Sequence, residues 1–450
     1  MSNPSDSQTE AKTPVPAQAI LIAIIAAIGG LLFGYDTSVI SGAILFVRHQ
    51  FELSAFETEV AVSIVLAGAA LGAAIAGTFT DRLGRRPVLV ANALLFGIFA
   101  VVTGLSNGLP LFLTARFLVG VAVGVTSMVT PLYIAELAPA RIRGALVTLN
   151  QLAIVIGIVV AYYVDYLFAG SSNWRAMFIS AVIPSILLLI ALIFLPESPR
   201  WLATKNQFDK AFAILSRLES RTQAERDMNE LREVTTAHRV TFWDLFAPRF
   251  RKPLLIGAGL ALFQQITGVN TIIYYTPTIL QMAGFKSASS AILATVLVGG
   301  VNLVATVISL FLLDRVGRRP LLLIGIAGMF LGLLHMGYSM GVNHVSREAV
   351  LLDVLGYLAA FAISLGPIFW LLISEIYPTT IRGQAMSLAS VVIWVADLLV
   401  SVTFLSLVGA IGARFAFWLY AAACVAAFIF SAKLVPETKD KTLEEIEASW

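Results

Sequence analysis

Long apolar runs alternate with short polar breaks from about residue 18 to residue 434. Each run approaches the roughly 20 residues that a membrane helix requires. Twelve spans are predicted: 18–47, 59–79, 87–106, 109–135, 144–167, 175–195, 253–282, 289–313, 320–341, 349–374, 383–408 and 413–434. Residues 1–17 are rich in Ser, Gln, Thr and Pro and are expected to be a disordered N-terminal tail. The first apolar run is too long for a cleaved signal peptide, so it is expected to be retained. The longest polar stretch, 197–252, separates a six-helix bundle at 18–196 from a second at 253–435, and 436–450 form a C-terminal tail. In that stretch Phe208, Ala211, Phe212, Leu215 and Leu218 recur at helical spacing, which predicts short amphipathic helices beneath the membrane.

The polar breaks themselves repeat. Asp81-Arg82-Leu83-Gly84-Arg85-Arg86-Pro87 returns as Asp314-Arg315-Val316-Gly317-Arg318-Arg319-Pro320, 233 residues later. Glu136, Arg143 and Gly144 answer to Glu375, Arg382 and Gly383 with an offset of 239, and Pro196-Glu197-Ser198 answers to Pro436-Glu437-Thr438 with an offset of 240. Near-constant offsets predict a duplicated membrane bundle, the plan on which many transporters are built. The expected class is therefore all-α and integral to the membrane, with twelve helices in two pseudo-symmetric halves.

Composition narrows the function. Hydrophobic residues make up 58% of the chain and charged residues 13%, outside the soluble range. A net charge of +3 with no basic run interleaved with aromatics gives no footing for nucleic acid. The single cysteine, Cys424, excludes an internal disulfide framework and a paired-cysteine metal or redox site. No nucleophile–base set, metal spacing or phosphate loop is present, so no enzyme and no cofactor is expected. With both termini inside, 24 of the 30 Lys and Arg fall in cytoplasmic segments, as the positive-inside bias requires. A bacterial inner membrane suits this arrangement, and so does the absence of a permitted Asn-x-Ser/Thr acceptor.

Polar groups inside apolar spans demand explanation, because hydrocarbon leaves them unpaired. The densest set is in the seventh span, QQITGVNTIIYYTP, with Gln264, Gln265, Asn270 and Tyr274. A break at Gly268 would bring its amides to a common cavity. Gln151 in the fifth span, Asn302 in the eighth and Trp370 in the tenth add to it. Amides donate and accept, which suits hydroxyls, and an indole face suits the C–H surface of a sugar ring. A neutral polyhydroxylated solute is the ligand these residues point to. The plainer alternative is that the amides only join helices, at about 1 kcal/mol per pair.

Two charges lie deep in their spans: Asp36 in the first and Arg116 in the fourth. Next to Arg116 the Asp36 charge is compensated; moved away, its carboxyl takes up a proton. The pair is then a proton switch tied to conformation, or else a fixed structural brace. A third set, Asp81, Arg85, Arg86, Glu136, Arg143, Glu197, Asp314, Arg318, Arg319, Glu375, Arg382 and Glu437, is expected to lie between the halves as a cytoplasmic gate. Asp397 in the eleventh span is either a second ionisable group or a residue facing an aqueous vestibule.

Taken in order, the two RxGRRP turns, PLYIAELAPARIRG, PESPR at 196–200, QQITGVNTIIYY, GPIFW ending at Trp370 and PETK at 436–439 resemble the sugar porters of the major facilitator superfamily over residues 20–440. The resemblance implies two bundles rocking about a central sugar site in the major facilitator fold. It assigns sugar contacts to Gln151, Gln264, Gln265, Asn270, Asn302 and Trp370, with Tyr274 a further contact in some members. The acid in the first span marks the proton symporters of the family, so Asp36 with Arg116 implies import of a hexose or pentose with a proton. The nearest alternative is uncoupled uniport of a sugar or a cyclic polyol such as inositol. The expected partners are the sugar, the proton and membrane lipid, with the chain working as a monomer. Two positions depart from the family: Ile393 replaces an amide before Trp394, and Asp397 replaces an asparagine.

Overall fold

The computed structural model describes residues 17–138, 143–218, 221–236, 245–342, 346–378, 381–439, 441 and 443–447. Among these residues, twelve helices are long and apolar enough to cross a membrane. They are α1 (Ala17–Gln50), α2 (Ala55–Leu83), α3 (Arg85–Leu105), α4 (Leu109–Leu137), α5 (Arg143–Ala169) and α6 (Trp174–Phe194). The second set comprises α7 (Pro248–Met282), α8 (Ala288–Val316), α9 (Arg318–Ser339), α10 (Arg347–Ile376), α11 (Arg382–Ser401) and α12 (Phe404–Leu434). Between the sets lie short helices at Pro199–Thr204, Phe208–Leu218 and Arg221–Thr236. Leu202, Ala203, Ala211, Leu215, Ala224 and Met228 form a small core of their own there. The expected tail at 1–17 lies outside the described residues but for its last position, and a short helix at Leu443–Glu447 follows α12.

Within the first half α1 lies along α5 and α2 along α4. Small residues let the backbones meet. A Cβ placed on Gly68 of α2 would sit 2.0 Å from the Phe117 carbonyl oxygen, and one on Gly120 of α4 would sit 2.0 Å from that of Val65. With lipid as apolar as the side chains, close van der Waals packing of this kind is the main force joining membrane helices. In the second half α9 packs along α12.

Four spans are interrupted among the described residues, α6 at Ser180-Ala181 and three more where the sequence makes interruption inexpensive. In α7 the helices Arg251–Ile266 and Val269–Met282 meet at Gly268, whose φ of 90° is left-handed and costs glycine almost nothing. In α10, Arg347–Ala362 and Leu365–Ile376 meet at Ile363-Ser364. Pro367, lacking an N–H, cannot bond the Ile363 carbonyl there. α12 turns at Gly412, with φ 84°.

The two halves touch through α5 with α8, α2 with α11, and α1 with the second part of α7. At the end away from the RxGRRP turns these contacts are polar. Arg48 Nη2 donates to Gln281 Oε1 at 3.3 Å. The Tyr162 hydroxyl donates to the Ile273 carbonyl at 2.9 Å. Glu59 accepts from the Ser406 backbone N–H at 2.6 Å and from its hydroxyl at 2.5 Å. Leu45 and Ala169 of the first half bury Ile292 of the second beside them. The bundle is closed at this end.

Candidate functional site

The break at Gly268 turns the seventh-span amides into one chain of hydrogen bonds. Asn270 Nδ2 donates to Gln265 Oε1 at 2.9 Å, across the break. Gln265 Nε2 donates to Gln264 Oε1 at 3.4 Å, and Gln264 Nε2 to the Leu365 carbonyl at 3.0 Å. That last carbonyl lies just past the interruption in α10, so two broken helices complete one another. Asp397 of α11, left open between two readings by sequence, lies at the other end of this chain. Its Oδ2 accepts from Asn270 Nδ2 at 2.7 Å and from the Tyr274 hydroxyl at 3.0 Å, and its Oδ1 accepts from the Ser401 hydroxyl at 3.1 Å.

The remaining sugar candidates are not bonded to that chain. Among the described residues no hydrogen bond joins Gln151, Asn302 or the Trp370 indole to the α7 amides. Gln151, Asn270 and Trp370 keep part of their surface exposed although each lies inside its helix. Such exposure is what a ligand contact needs. Trp394 of α11 stacks at a tilt on Phe33 of α1, with ring centroids 5.4 Å apart. An aromatic pair therefore spans the two halves next to the position where Ile393 departs from the family pattern.

Asp36 and Arg116 do meet. Arg116 Nη1 donates to Asp36 Oδ1 at 2.6 Å, with both side chains almost fully buried. The guanidinium lies 5.2 Å over the Phe178 ring of α6. The contact is single: Asp36 Oδ2 and Arg116 Nε and Nη2 are buried without a hydrogen-bond partner among the described residues. Arg–carboxylate pairs are strongest when bidentate, so this one is held by less than its geometry permits.

The charged turns differ from the expected arrangement. Instead of running between the halves, the described pairs close within each half. Arg85 makes a bidentate pair with Glu136, at 2.8 and 2.9 Å, and approaches Asp81 at 3.6 Å. Arg318 pairs with Glu375 at 3.2 Å. The second arginine of each turn binds the carbonyl end of the last helix of its half: Arg86 to Leu192 and Ile193 at 2.8 and 2.6 Å, Arg319 to Ala432 at 2.5 Å. A cation is favoured at that negative pole. Gly84 and Gly317, with φ of 102° and 99°, let the chain reverse into α3 and α9. The N–H groups that open those two helices are then capped from a distance. Glu197 accepts from the N–H of Arg85 and Arg86 at 3.0 and 3.2 Å, and Glu437 from those of Arg318 and Arg319 at 3.1 Å each. The reason for the intra-half closure is reach. Glu197 and Glu437 follow closely on the ends of α6 and α12, which sets each carboxylate beside the turn of its own half. The side chains of Arg143 and Asp314 lie outside the described residues, and Arg382 Nε donates to the Tyr377 carbonyl at 3.2 Å.

The two caps differ electrostatically. Burial pushes the Glu197 carboxyl above its ordinary value, against the pull of the surrounding N–H groups. At Glu437 burial acts the same way but is outweighed by N–H donors from Lys439, Arg318, Arg319 and Thr438, and the carboxyl falls below its ordinary value.

Two buried carboxylates escaped the sequence reading. Glu59 is the cross-half acceptor described above, and Asp165 of α5 accepts from the Gly42 N–H of α1 at 3.1 Å. Both sit at or near a predicted span edge, where an acid attracts no notice. The usable signal was their place inside an otherwise apolar helical face.

Comparison with known proteins decides the family. Residues 22–450 match the model of the "Sugar (and other) transporter" family. The chain belongs to that family. It is 36% identical over 458 residues to an arabinose-proton symporter of Bacillus subtilis (strain 168), covering 99% of this chain and 98% of the relative. It is 38% identical over 437 residues to a galactose-proton symporter of Escherichia coli (strain K12), covering 96% and 94%. Among solved structures, the major facilitator superfamily proton:xylose symporter XylE bound to 6-bromo-6-deoxy-D-glucose superposes with a TM-score of 0.83 at 37% identity, covering 97% of this chain and all of that one. An inward open conformation of the xylose transporter XylE gives 0.81 at 36% identity, covering 95% and 99%. The family is one of transporters, and the fold is that of the major facilitator superfamily.

Proposed function

We propose that the protein imports a hexose or pentose together with a proton, by exposing one central site alternately to the two sides of the membrane. The observation that carries this is the buried, singly bonded Asp36–Arg116 pair at 2.6 Å. Its partners lie on different helices of the first half, so a shift of α1 against α4 parts them. Apart from Arg116, a buried Asp36 is neutral only if it holds a proton. Outside, Asp36 is protonated and the site takes sugar on the α7 amides, Gln151, Asn302 and Trp370. Inside, sugar leaves, the proton follows, and Asp36 pairs again with Arg116. Moving one charge through 100 mV supplies about 2.3 kcal/mol, enough for roughly fifty-fold accumulation at about 1.4 kcal/mol per tenfold.

The charged turns fit this cycle as braces. By tying α3 to α4 and to the end of α6, and α9 to α10 and to the end of α12, they keep those helices of each half together at the inner gate as the halves rock, and they leave α1 untied. In this reading 18–196 and 253–435 are the moving bodies and 197–252 the strap between them. The protein lies as a monomer in a bacterial inner membrane with both termini in the cytoplasm, draws on the proton gradient and needs no cofactor.

The test uses protein in liposomes with an inward proton gradient and labelled xylose, arabinose or galactose. The parent accumulates sugar above equilibrium; Asp36→Asn exchanges sugar but does not accumulate it. Equal accumulation by the two proteins would remove Asp36 from the coupling, and uptake insensitive to an uncoupler would leave uniport.

A further inference from the structure

We propose that Asp397 is a second proton-binding site, distinct from Asp36, and that its occupancy sets the affinity of the sugar site from within. The inference rests on the sugar-transport reading and adds to it a residue that departs from the family's pattern.

Asp397 is wholly buried and carries three hydrogen bonds, all of them donated to it: from Asn270, Tyr274 and Ser401. Among the described residues no cation reaches it. A buried carboxylate without a cation is costly as an anion and inexpensive once protonated. The proton has a place to go. An O–H formed on Oδ1 can donate to the Ser401 oxygen once the Ser401 hydroxyl hydrogen turns away from it. The titratable groups around this corner are Tyr274 on α7, Tyr162 on α5, which bonds the Ile273 carbonyl, Asp36 with Arg116, and Glu59 at the outer end of α2. The one cation among them is already paired.

Occupancy is felt at the ligand. Asn270 spends one N–H on Gln265 Oε1 and the other on Asp397 Oδ2, so it offers a sugar only its carbonyl oxygen. Protonating Oδ1 weakens Oδ2 as an acceptor, and the amide is freed to turn a donor toward a sugar oxygen. Sugar then binds more tightly to the protonated form, and a proton is taken up as sugar binds.

The measurement is calorimetric titration of the detergent-solubilised full chain, in buffers of different ionisation enthalpy, with whichever of xylose, arabinose and galactose the parent binds. Working in Asp36→Asn removes the first proton site. That variant should still take up a proton with sugar, and its affinity should rise roughly threefold to tenfold from high to low pH. Adding Asp397→Asn, which keeps an oxygen for Asn270 and Tyr274, should abolish both effects. Identical proton uptake and pH profile in the single and double variants would overturn the proposal. If the parent binds none of the sugars, the sugar reading fails instead. In that case difference infrared spectroscopy still decides the matter: a carboxylic C=O band must appear on acidifying Asp36→Asn and be missing from the double variant.

Discussion

Arg116 compensates Asp36 through one hydrogen bond in an almost fully buried position. Removing one partner of such a pair strands the other charge, at about 3–5 kcal/mol, whereas removing both strands nothing. Arg116→Gln should therefore melt well below the parent in detergent, and Asp36→Asn/Arg116→Gln should recover much of that loss. Additive melting shifts would show that the pair is not coupled. Both residues were legible in sequence because a charge stands out in an apolar run, and the amides of α7 were legible for the same reason. What sequence withheld was the partner of each amide. Asp397 bonds Asn270 from 127 positions away, and that contact depends on the rotation of α11 about its axis. No spacing within α11 encodes it. Glu59 and Asp165 were missed for a different reason: the polarity of a span edge is ambiguous until the edge is located.

At the scale of single elements, breaks and caps decide where those side chains point. Gly268 holds a left-handed conformation, and a Cβ there would lie 2.8 Å from the Tyr420 ring. Gly268→Ala should cost about 1–2 kcal/mol from backbone conformation alone, more with the ring contact, and should weaken sugar binding by misdirecting Asn270. Unchanged melting and affinity would mean that the break is not set by this residue. The break was readable from Gly268 itself, and the one in α10 had its signal in Pro367, just past the interruption. The caps on α3 and α9 make opposite pH predictions. Glu437 lies below its ordinary value, so its stabilisation is present above the usual carboxylate range and is lost as pH falls through its lowered value. Glu197 lies above its ordinary value, so what it contributes is present below that range and fades as pH rises through its raised value. Glu437→Gln should thus lower the melting temperature at neutral pH and converge with the parent in acid. Glu197→Gln should cost less at neutral pH. The reverse order of the two variants would show that burial does not govern these caps.

For the whole molecule, the twelve spans and their pairing into halves follow from apolar periodicity and from the repeated turns, since each half must bury one set of faces and the same motif folds the same way twice. Which end is closed follows from none of that, because the halves can meet at either end with the same residues. In this structure the choice rests on few contacts, and Glu59 with Ser406 is the best paired of them. Two hydrogen bonds to a carboxylate contribute about 1.5–3 kcal/mol each when both survive burial. A shift of even 1.4 kcal/mol moves a two-state equilibrium roughly tenfold. Cys424 is the sole cysteine and is buried, so Cys424→Ala gives a background in which one introduced thiol reports opening. Ile292→Cys is suited to this, since Ile292 is covered by Leu45 and Ala169 of the opposite half. In that background Glu59→Gln, which keeps the size of the side chain but loses its charge, should speed the reaction of the introduced thiol with a membrane-impermeant maleimide by roughly tenfold. Arg48→Ala, which removes a longer bond at 3.3 Å, should speed it less. If Glu59→Gln leaves the rate where it was, the closed end is held by its other contacts, and the acid in α2 has no part in the choice between the two orientations.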